Sequence, residues 1–468
     1  MSFKYSLFFS IVCVVFINCK TYYKMKGIEL FSNLKEVQLT TEKYGHFLHS
    51  SDSFSPDDNW IVYDTRNDDT QISITGRIEM VNINSMITVQ LYNTKSQTEF
   101  GPGVGAVTFN PKRDEVLFIH GLQNCNKTSP YSFSRRTGVS VKTDSPHIPV
   151  FLDARDVIQP FTQGALRGGT HAHSWSSDGK WVSFTYNDDI MMRLSLQTGS
   201  KLKDLRMVGV MAPLGPVNVD DNSSGENLNG EMFSVIVTEV SENPELGSNQ
   251  INRAFDDGWV GNKGYTKLNG QKQNRAVAFL GDTNDKKGNK LTELFIVDIP
   301  DEISKSNFIK PLEGTETTRP NPPLNTIQRR ITYTNERKYP GIISHGNPVR
   351  SNHDGSLLFV IMKDDEGIAQ IYSVSSKNGF IDKLTANKSP IDTSFDISPN
   401  GRYLVYGINE NVYITDILLT NTFKIILNNK NKNKSLRGLQ WSNDGRSIAY
   451  NRKVSLNGFD FFQIFILK

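Results

Sequence analysis

The chain has 468 residues, of which 37% are hydrophobic, 10% aromatic and 22% charged, and its net charge is +3. This composition excludes a disordered chain, a collagen and a disulfide-rich scaffold. A net charge near zero argues against the concentrated basic face of a dedicated nucleic-acid-binding protein. A mean hydropathy of −0.40 excludes a polytopic membrane protein.

Residues 1–19 have the pattern of an export signal. One lysine precedes an apolar run from Leu7 to Ile17, which is shorter than the roughly 20 residues of a membrane-spanning helix. Cys19 follows at a place that resembles a bacterial lipobox, in which the cysteine is lipidated and becomes the new N-terminus. Phe16 and Asn18 depart from the usual lipobox, so an ordinary cleaved signal peptide is the alternative. We expect an exported protein, either periplasmic or an outer-membrane lipoprotein, with the cell surface as a further location.

A hairpin motif recurs along the chain. Each copy has an apolar strand end, a turn rich in Asp, Asn and Gly, and an apolar run typical of a β-strand. The six copies begin at Phe54, Phe109, Trp175, Ser351, Ile397 and Trp441. They follow one another at intervals of 44 to 66 residues, except for one interval of 176 residues that has room for a seventh unit and an insertion.

This period predicts an all-β fold, a seven-bladed β-propeller, with eight blades as the alternative count. Two β-sandwiches would also contain many strands, but they would not repeat one hairpin motif from end to end. Residues 35–41 resemble the outer strand of other units, so we expect this N-terminal strand to pair with the last blade and close the ring. The predicted propeller domain spans residues 33–468, after a linker at 20–32, with an insertion at about 243–275.

Several long segments resemble the enterobacterial YidR family of TolB-type propellers. These segments are residues 159–188, 208–219, 251–262, 293–300 and 314–334. The Asp-Gly hairpins themselves resemble the repeats of TolB-like periplasmic proteins. Because the YidR family is mostly of unknown function, this resemblance implies the fold more firmly than the chemistry.

A second resemblance is to seven-bladed polysaccharide lyases, which include oligogalacturonate lyases and ulvan lyases. The order of His120, Tyr186 and Arg206 along the chain resembles the His, Tyr, Arg order of propeller ulvan lyases. Those enzymes break the glycosidic bond of a uronic acid by β-elimination. The resemblance implies that His120 and Tyr186 transfer protons and that Arg206 neutralises the carboxylate of the sugar.

The expected topology brings these three catalytic candidates to one end of the propeller. In each blade the innermost strand starts, and the second strand ends, on the same face. Ionisable groups that cluster at such a mouth define a candidate site. The substrate-binding candidates near this mouth are Arg167, His171, His173, Asn187, Arg253 and Trp259.

His171 and His173 lie two residues apart on a predicted strand, so we expect them to face the same way. Two such imidazoles suit a divalent metal, with His345 as a further candidate ligand, or a paired acid–base role. Polar packing in the channel wall is the alternative. A divalent metal is therefore the one cofactor candidate, and it needs ligands beyond this pair.

Two functions fit the sequence best, and a different enzyme, such as a metal-dependent hydrolase, is a third alternative. The first is an exported carbohydrate-active lyase that cleaves a uronic-acid-containing, ulvan-like polysaccharide by β-elimination. The second is a non-catalytic TolB-like propeller that acts as a binding or scaffold module at the cell envelope. The first implies an anionic oligo- or polysaccharide as partner, and both imply no nucleic acid and membrane contact only through an N-terminal lipid.

Overall fold

The computed structural model describes residues 31, 34–49, 51–199, 205–220, 225–425, 427 and 436–468. Seven sheets of antiparallel strands make up seven blades, which confirms the predicted all-β, seven-bladed propeller. The predicted signal segment 1–19, with Cys19, and nearly all of the predicted linker lie outside the described residues. Most of the regular secondary structure in the described part of the chain consists of β-strands.

The blades follow one another in chain order, from the innermost strand to the outermost. Blade 1 has Trp60–Asp64, Arg77–Asn82 and Thr88–Asn93, and blade 2 has Val104–Phe109, Glu115–Gly121, Arg136–Lys142 and Val150–Phe151. Blade 3 has Gly168–Trp175, Val182–Asp188, Met207–Ala212 and Phe233–Ile236, and blade 4 has Arg253–Trp259, Ala276–Asn284, Lys290–Asp298 and Ile327–Arg330. Isolated bridges at Phe47 and Phe54 supply the innermost edge of blade 1.

The last three blades have the same order. Blade 5 has Arg350–Ser351, Leu357–Lys363, Ala369–Ser375 and Ile381–Lys383, and blade 6 has Phe395–Ile397, Tyr403–Ile408, Asn411–Asp416 and Thr422–Ile425. Blade 7 has Leu436–Trp441, Ile448–Leu456 and Phe459–Leu467, with Glu36–Gln38 as its outer strand. A helix at Asp189–Thr198, a 3-10 helix at Gln71–Ile74 and a small hairpin of Tyr265–Thr266 with Lys272–Gln273 lie between these strands.

The Asp-Gly turns connect the first and second strands of their blades, as the repeated motif predicts. In blade 3 the Ser176 hydroxyl donates to Asp178 at 2.6 Å, and Gly179 has a φ of +68°. Gly445, in the equivalent turn of blade 7, has a φ of +70°. These positions favour glycine because a Cβ atom penalises the left-handed region.

The ring closes through the two ends of the chain. Glu36–Gln38 pairs antiparallel with Phe465 to Leu467 of the last long strand. Glu36 also accepts a hydrogen bond from Tyr450 at 2.6 Å and forms an ion pair with Arg452. The Arg452 side chain is buried, and the Glu36 side chain is 9% exposed. The N-terminal strand therefore covers the free edge of blade 7 and confirms the predicted closure.

The predicted insertion at 243–275 is partly wrong. Residues Arg253–Trp259 form the innermost strand of blade 4 and pair with Ala276–Asn284. Only the connection between these two strands, which contains the small hairpin, extends beyond a normal blade turn. The sequence hides this strand because no short Asp-Gly turn follows it. A second excursion runs from residue 299 to 326, between the third and outer strands of the same blade.

We predict that Glu36→Ala weakens ring closure. Removing one partner of a buried ion pair leaves the Arg452 charge uncompensated, which lowers the free energy of unfolding by about 3 kcal/mol. Urea denaturation of both proteins measures this difference. The exposed Glu99 supplies the control variant Glu99→Ala, which we expect to change stability by less than about 0.5 kcal/mol. Equal stability of the two variants would contradict closure through this contact.

Candidate functional site

The innermost strands of four blades carry the same irregularity near the mouth of the ring. Each has a shift in strand register, and a residue at this shift has a φ between +54° and +62°. These residues are Ala106, Ala172, Asp256 and Gly438. A β-bulge of this kind interrupts the alternation of side chains along a strand. It therefore decides which side chains face the axis.

The bulge at Ala172 separates the two histidines of blade 3. His171 faces a cavity on the propeller axis, whereas His173 lies inside the blades, where its Nε2 is 3.0 Å from the Thr170 hydroxyl. The expectation that they face the same way is wrong, because the bulge adds one residue between them. The pair therefore does not form a shared metal or acid–base site.

This axial cavity has a volume of about 820 Å³ and lies at the mouth that the topology predicts. Its wall mixes charged, imidazole and aromatic groups from most of the blades. The cationic residues are Arg66, Arg136, Arg206, Arg437 and Lys453, the acidic residues are Asp68, Asp69 and Asp392, and the histidines are His49, His171 and His345. The aromatic residues are Phe47, Tyr131, Phe133 and Phe462.

Five of these side chains, from blades 2 and 3, form what we call the Phe133 cluster: Tyr131, Phe133, Arg136, His171 and Arg206. The ring of Phe133 is 57% exposed. The Arg136 and Arg206 guanidiniums lie 4.6 and 5.6 Å from its centroid, and the His171 ring lies 6.0 Å away. Arg136 also donates to the Tyr131 hydroxyl at 2.8 Å. The cluster thus combines an exposed aromatic face with two guanidiniums and an imidazole.

Arg136 is the most unusual member of this cluster. Its side chain is buried, yet within the described ranges it forms no ion pair with a carboxylate, and its Nε lacks an acceptor. Burying a charge without a counter-ion is costly. The adjacent Arg135, in contrast, pairs with Glu226. The Arg136 environment is therefore suited to a bound anion.

His171 is also buried without a hydrogen-bond partner among the residues that the structure describes. Burial, followed by the positive charges of Arg136 and Arg206, holds the pKa of His171 well below 6.5. The imidazole is consequently neutral at neutral pH and has two nitrogens with hydrogen-bonding capacity. A bound anion would offset the two guanidinium charges and raise this pKa.

His120 and Tyr186 do not face the axial cavity, so they do not converge with Arg206. His120 is buried against Tyr92, whose hydroxyl lies 3.0 Å from its Nε2, while its neighbour Ile119 lines the cavity. Tyr186 is fully buried and donates to Asp188 at 3.2 Å. In each second strand, alternation turns these side chains into the blade packing. The expectation that all three groups converge at the mouth is therefore wrong for His120 and Tyr186.

Arg167 and Asn187 are structural as well. Arg167 is buried, lies 3.0 Å from Asp188, and donates to the carbonyl oxygens of Thr315 and Thr318. It thereby holds the 299–326 excursion against blade 3. Asn187 is buried at the register position opposite Gly169. Neither residue lines the axial cavity, so their predicted role in substrate binding is not supported by their positions.

Arg253 and Trp259 lie at opposite ends of the innermost strand of blade 4. Arg253 is exposed, lies 3.9 Å from Asp282 and stacks 4.4 Å from the ring centroid of Phe255. Trp259 lies about 20 Å further along the strand, given roughly 3.3 Å per residue. Its indole donates to the Ser174 carbonyl oxygen at 3.0 Å. Neither residue is among those that line the axial cavity.

The predicted metal ligands do not meet. His171 and His345 both line the axial cavity, but His173 does not. Across the part of the chain that the structure describes, no three His, Cys, Asp or Glu residues are grouped to hold a metal ion. The residues present therefore do not fit a metal centre built on these histidines.

The sequence pattern did not indicate Tyr131, Phe133 and Arg136 as site residues. The available signal was the pair Arg135-Arg136 at the start of a strand, where adjacent side chains face opposite sides. One arginine of such a pair enters the blade packing, and the other faces the axis. Without the register of the strand, the sequence does not show which one.

Comparison with known proteins identifies the family. The chain is 38% identical to the uncharacterized protein YidR of Escherichia coli (strain K12) over 392 residues, which cover 83% of this chain and 88% of that protein. The chain belongs to the YidR family. Within this YidR-family chain, residues 103–227 match the family model described as a protein of unknown function (DUF3748). This stretch contains the Phe133 cluster.

A solved structure shares the fold of this YidR-family chain. An oligogalacturonate lyase in complex with manganese has a TM-score of 0.50 and 11% sequence identity, with 93% of both chains covered. TolB from Acinetobacter baumannii has a TM-score of 0.34 and 13% identity, with 88% of this chain and 80% of that chain covered.

Within the described residues, no helix is both long and apolar enough to cross a membrane.

We predict that His120 makes the stability of the fold depend on pH. Burial lowers its pKa to about 4, below the value of about 6.5 in an unfolded chain. Its contribution to stability is therefore fully present above pH 6.5 and is lost as the pH falls towards 4, by on the order of 3 kcal/mol. Urea denaturation across this range should show a weaker acid dependence for His120→Gln than for the wild type.

The comparison with the wild type is needed because buried carboxyl groups make the fold more stable, not less stable, as the pH falls. Burial raises the pKa of Asp52, Asp153 and Asp257 to about 6. These groups stabilise the fold as the pH falls, equally in both proteins. The exposed His147 supplies the control variant His147→Gln, and a profile for His120→Gln identical to this control would contradict the prediction.

Proposed function

We propose that the axial cavity binds a uronic-acid-containing oligo- or polysaccharide and cleaves it by β-elimination. The observation that carries this proposal is the buried guanidinium of Arg136, which lacks a carboxylate partner in the described part of the chain. A carboxylate of the ligand would supply the missing counter-ion. The exposed ring of Phe133 beside it offers a face for the apolar side of a sugar ring.

The two arginines of the Phe133 cluster support the difficult part of this reaction. Removal of the proton at C5 of a uronate places negative charge on its carboxylate group. Arg136 and Arg206 would stabilise that charge, because guanidiniums bind carboxylates strongly in a dry site. Both groups already lie within 6 Å of the same aromatic ring. They are thus suited to hold one carboxylate together.

His171 is the proposed base, and Tyr131 the proposed acid. The neutral imidazole takes the C5 proton, the electron pair left at C5 forms the C4–C5 double bond, and the bond from C4 to the leaving oxygen breaks. Tyr131 gives its proton to this oxygen, and its phenolate is stabilised by the hydrogen bond from Arg136. Proton exchange with solvent then restores both groups. This assignment replaces His120 and Tyr186.

The fold is compatible with such chemistry, because the oligogalacturonate lyase that shares it is an enzyme of this class. A non-catalytic binding module is the second candidate, and one observation favours it. Among the described residues, no carboxylate contacts His171 to orient its ring, as many catalytic histidines require. Binding without cleavage would need the arginines and Phe133 but neither proton-transfer group.

We predict that His171→Gln abolishes cleavage but leaves binding intact. Proton transfer by one side chain typically contributes about 10²–10⁴-fold to the rate, so the loss should lie in this range. The assay incubates the protein with ulvan, pectate, alginate and glycosaminoglycans and follows the ultraviolet absorbance of the unsaturated product. We expect Tyr131→Phe to lower kcat and Arg136→Gln to weaken affinity at least tenfold.

The exposed Arg446, outside the cavity, supplies the matched control Arg446→Gln, which should behave as wild type. Cleavage that survives in His171→Gln would contradict the assignment of the base. Arg136-dependent binding with no cleavage of any of the four polymers would favour the binding module. If Arg136→Gln changes neither binding nor cleavage, the axial cavity is not the site.

We further propose that the protein is exported and anchored to the cell envelope through a lipid on Cys19. The apolar run before this cysteine supports the proposal. A single lipid chain holds a globular domain at a membrane only weakly, whereas several chains hold it stably.

We predict that Cys19→Ser moves the full-length protein from the membrane fraction to the soluble envelope fraction and removes labelling by a fatty-acid probe. Cys125→Ser is the control, and membrane retention of Cys19→Ser would contradict the anchor.

A further inference from the structure

We infer that the axial cavity selects an oligosaccharide in which an acidic sugar is joined to a neutral sugar, rather than a chain of adjacent uronates. This inference rests on the proposed binding of a uronate at the Phe133 cluster. It follows from the uneven distribution of charge around the wall of the cavity. One side has an uncompensated cation, a second side has its cations matched by carboxylates, and a third side has an exposed carboxylate.

The Phe133 cluster is the cationic side. It contributes Arg136 and Arg206 to the wall and contains no carboxylate. Arg136 is buried without an ion-pair partner in the described ranges. The other cations on this side have carboxyl groups nearby, because Arg253 lies 3.9 Å from Asp282 and both Arg253 and Arg206 act on Asp256. A single carboxylate fits this side, since it restores the charge balance of the buried arginine.

The side formed by blades 1 and 7 is balanced. Arg66 pairs with Asp64 at 2.7 Å and with Asp69 at 3.1 Å, and Arg437 lies 3.3 Å from the same Asp69. Hydrogen bonds from Thr70, followed by the nearby charges of Arg437 and Lys453, lower the pKa of Asp68, and Lys453 also lines this side. Three cations therefore face three carboxylates. A second uronate here would have to displace an existing ion pair.

The side formed by blades 5 and 6 favours hydroxyl groups. Asp392 lines the cavity with an exposed carboxylate next to His345 and Ser394. A carboxylate accepts hydrogen bonds but repels another carboxylate. The hydroxyls of a neutral sugar can donate to Asp392, whereas a second uronate would bring two negative charges together. The cavity, at about 820 Å³, has room for more than one sugar ring.

Three disaccharides with the same β-1,4-linked glucose skeleton test this inference: cellobiose, glucuronosyl-glucose and glucuronosyl-glucuronate. Calorimetric titration of the His171→Gln variant avoids turnover during the measurement. We expect glucuronosyl-glucose to bind at least tenfold more tightly than either of the other two. In the double variant with Arg136→Gln, the preference for glucuronosyl-glucose over cellobiose should disappear.

Adding Asp392→Asn should improve binding of glucuronosyl-glucuronate at least fivefold, because it removes the opposing charge. Asp114→Asn, in an exposed turn outside the cavity, is the matched control and should change nothing. Tighter or equal Arg136-dependent binding of glucuronosyl-glucuronate by His171→Gln would overturn this inference while leaving the proposed function intact. Failure of both acidic disaccharides to bind in an Arg136-dependent way would overturn the two together.

Discussion

Closure of the ring determines where every other part of the molecule lies. Seven sheets surround an axis only if the edge of the last blade is covered, and the strand Glu36–Gln38 covers it. Closure brings residues from distant parts of the chain to one mouth. Phe47, near the N-terminus, and Phe462, near the C-terminus, line the same cavity as Phe133. A site of this kind exists only in the closed ring.

The second constraint is the set of β-bulges on the innermost strands. At Ala172 the bulge turns His171 towards the axis and leaves His173 within the blades. A regular strand would have directed both imidazoles to one side. Backbone geometry, rather than the choice of residue types alone, therefore determines which groups can meet a ligand. The cost of the left-handed conformation at Ala172 is consistent with strain located at a functional site.

The fold was predictable to the level of blade number and ring closure because its signal is repeated. Each hairpin pairs an apolar run with an Asp-Gly turn, and six copies outweigh the ambiguity of any one. The innermost strand of blade 4 was missed because a longer connection replaces this turn. The mouth of the ring was predictable from topology, and His171 and Arg206 do line it.

The identity of the remaining site residues was not predictable from one sequence. His120 and Ile119 are neighbours on one strand, and only the strand register tells which of them faces the axis. The same holds for Arg135 and Arg136, which differ only in the side they face. Both arginines are charged and adjacent, but one meets Glu226 and the other meets the cavity. Long-range pairing, which a local pattern does not contain, makes this distinction.

The proposed function depends on the binding of a sugar carboxylate beside Arg136 and Arg206. A pH titration of the His171 side chain, with and without saturating glucuronosyl-glucose, tests this binding. The titration is followed by nuclear magnetic resonance of histidine side chains labelled with carbon-13, and the His171→Gln variant assigns the signal. Burial and the charges of Arg136 and Arg206 hold the pKa of His171 low in the free protein. We expect the ligand to raise this pKa towards the ordinary range of histidine, because its carboxylate offsets the two guanidinium charges. A His171 pKa that stays the same at saturation would contradict the proposed binding.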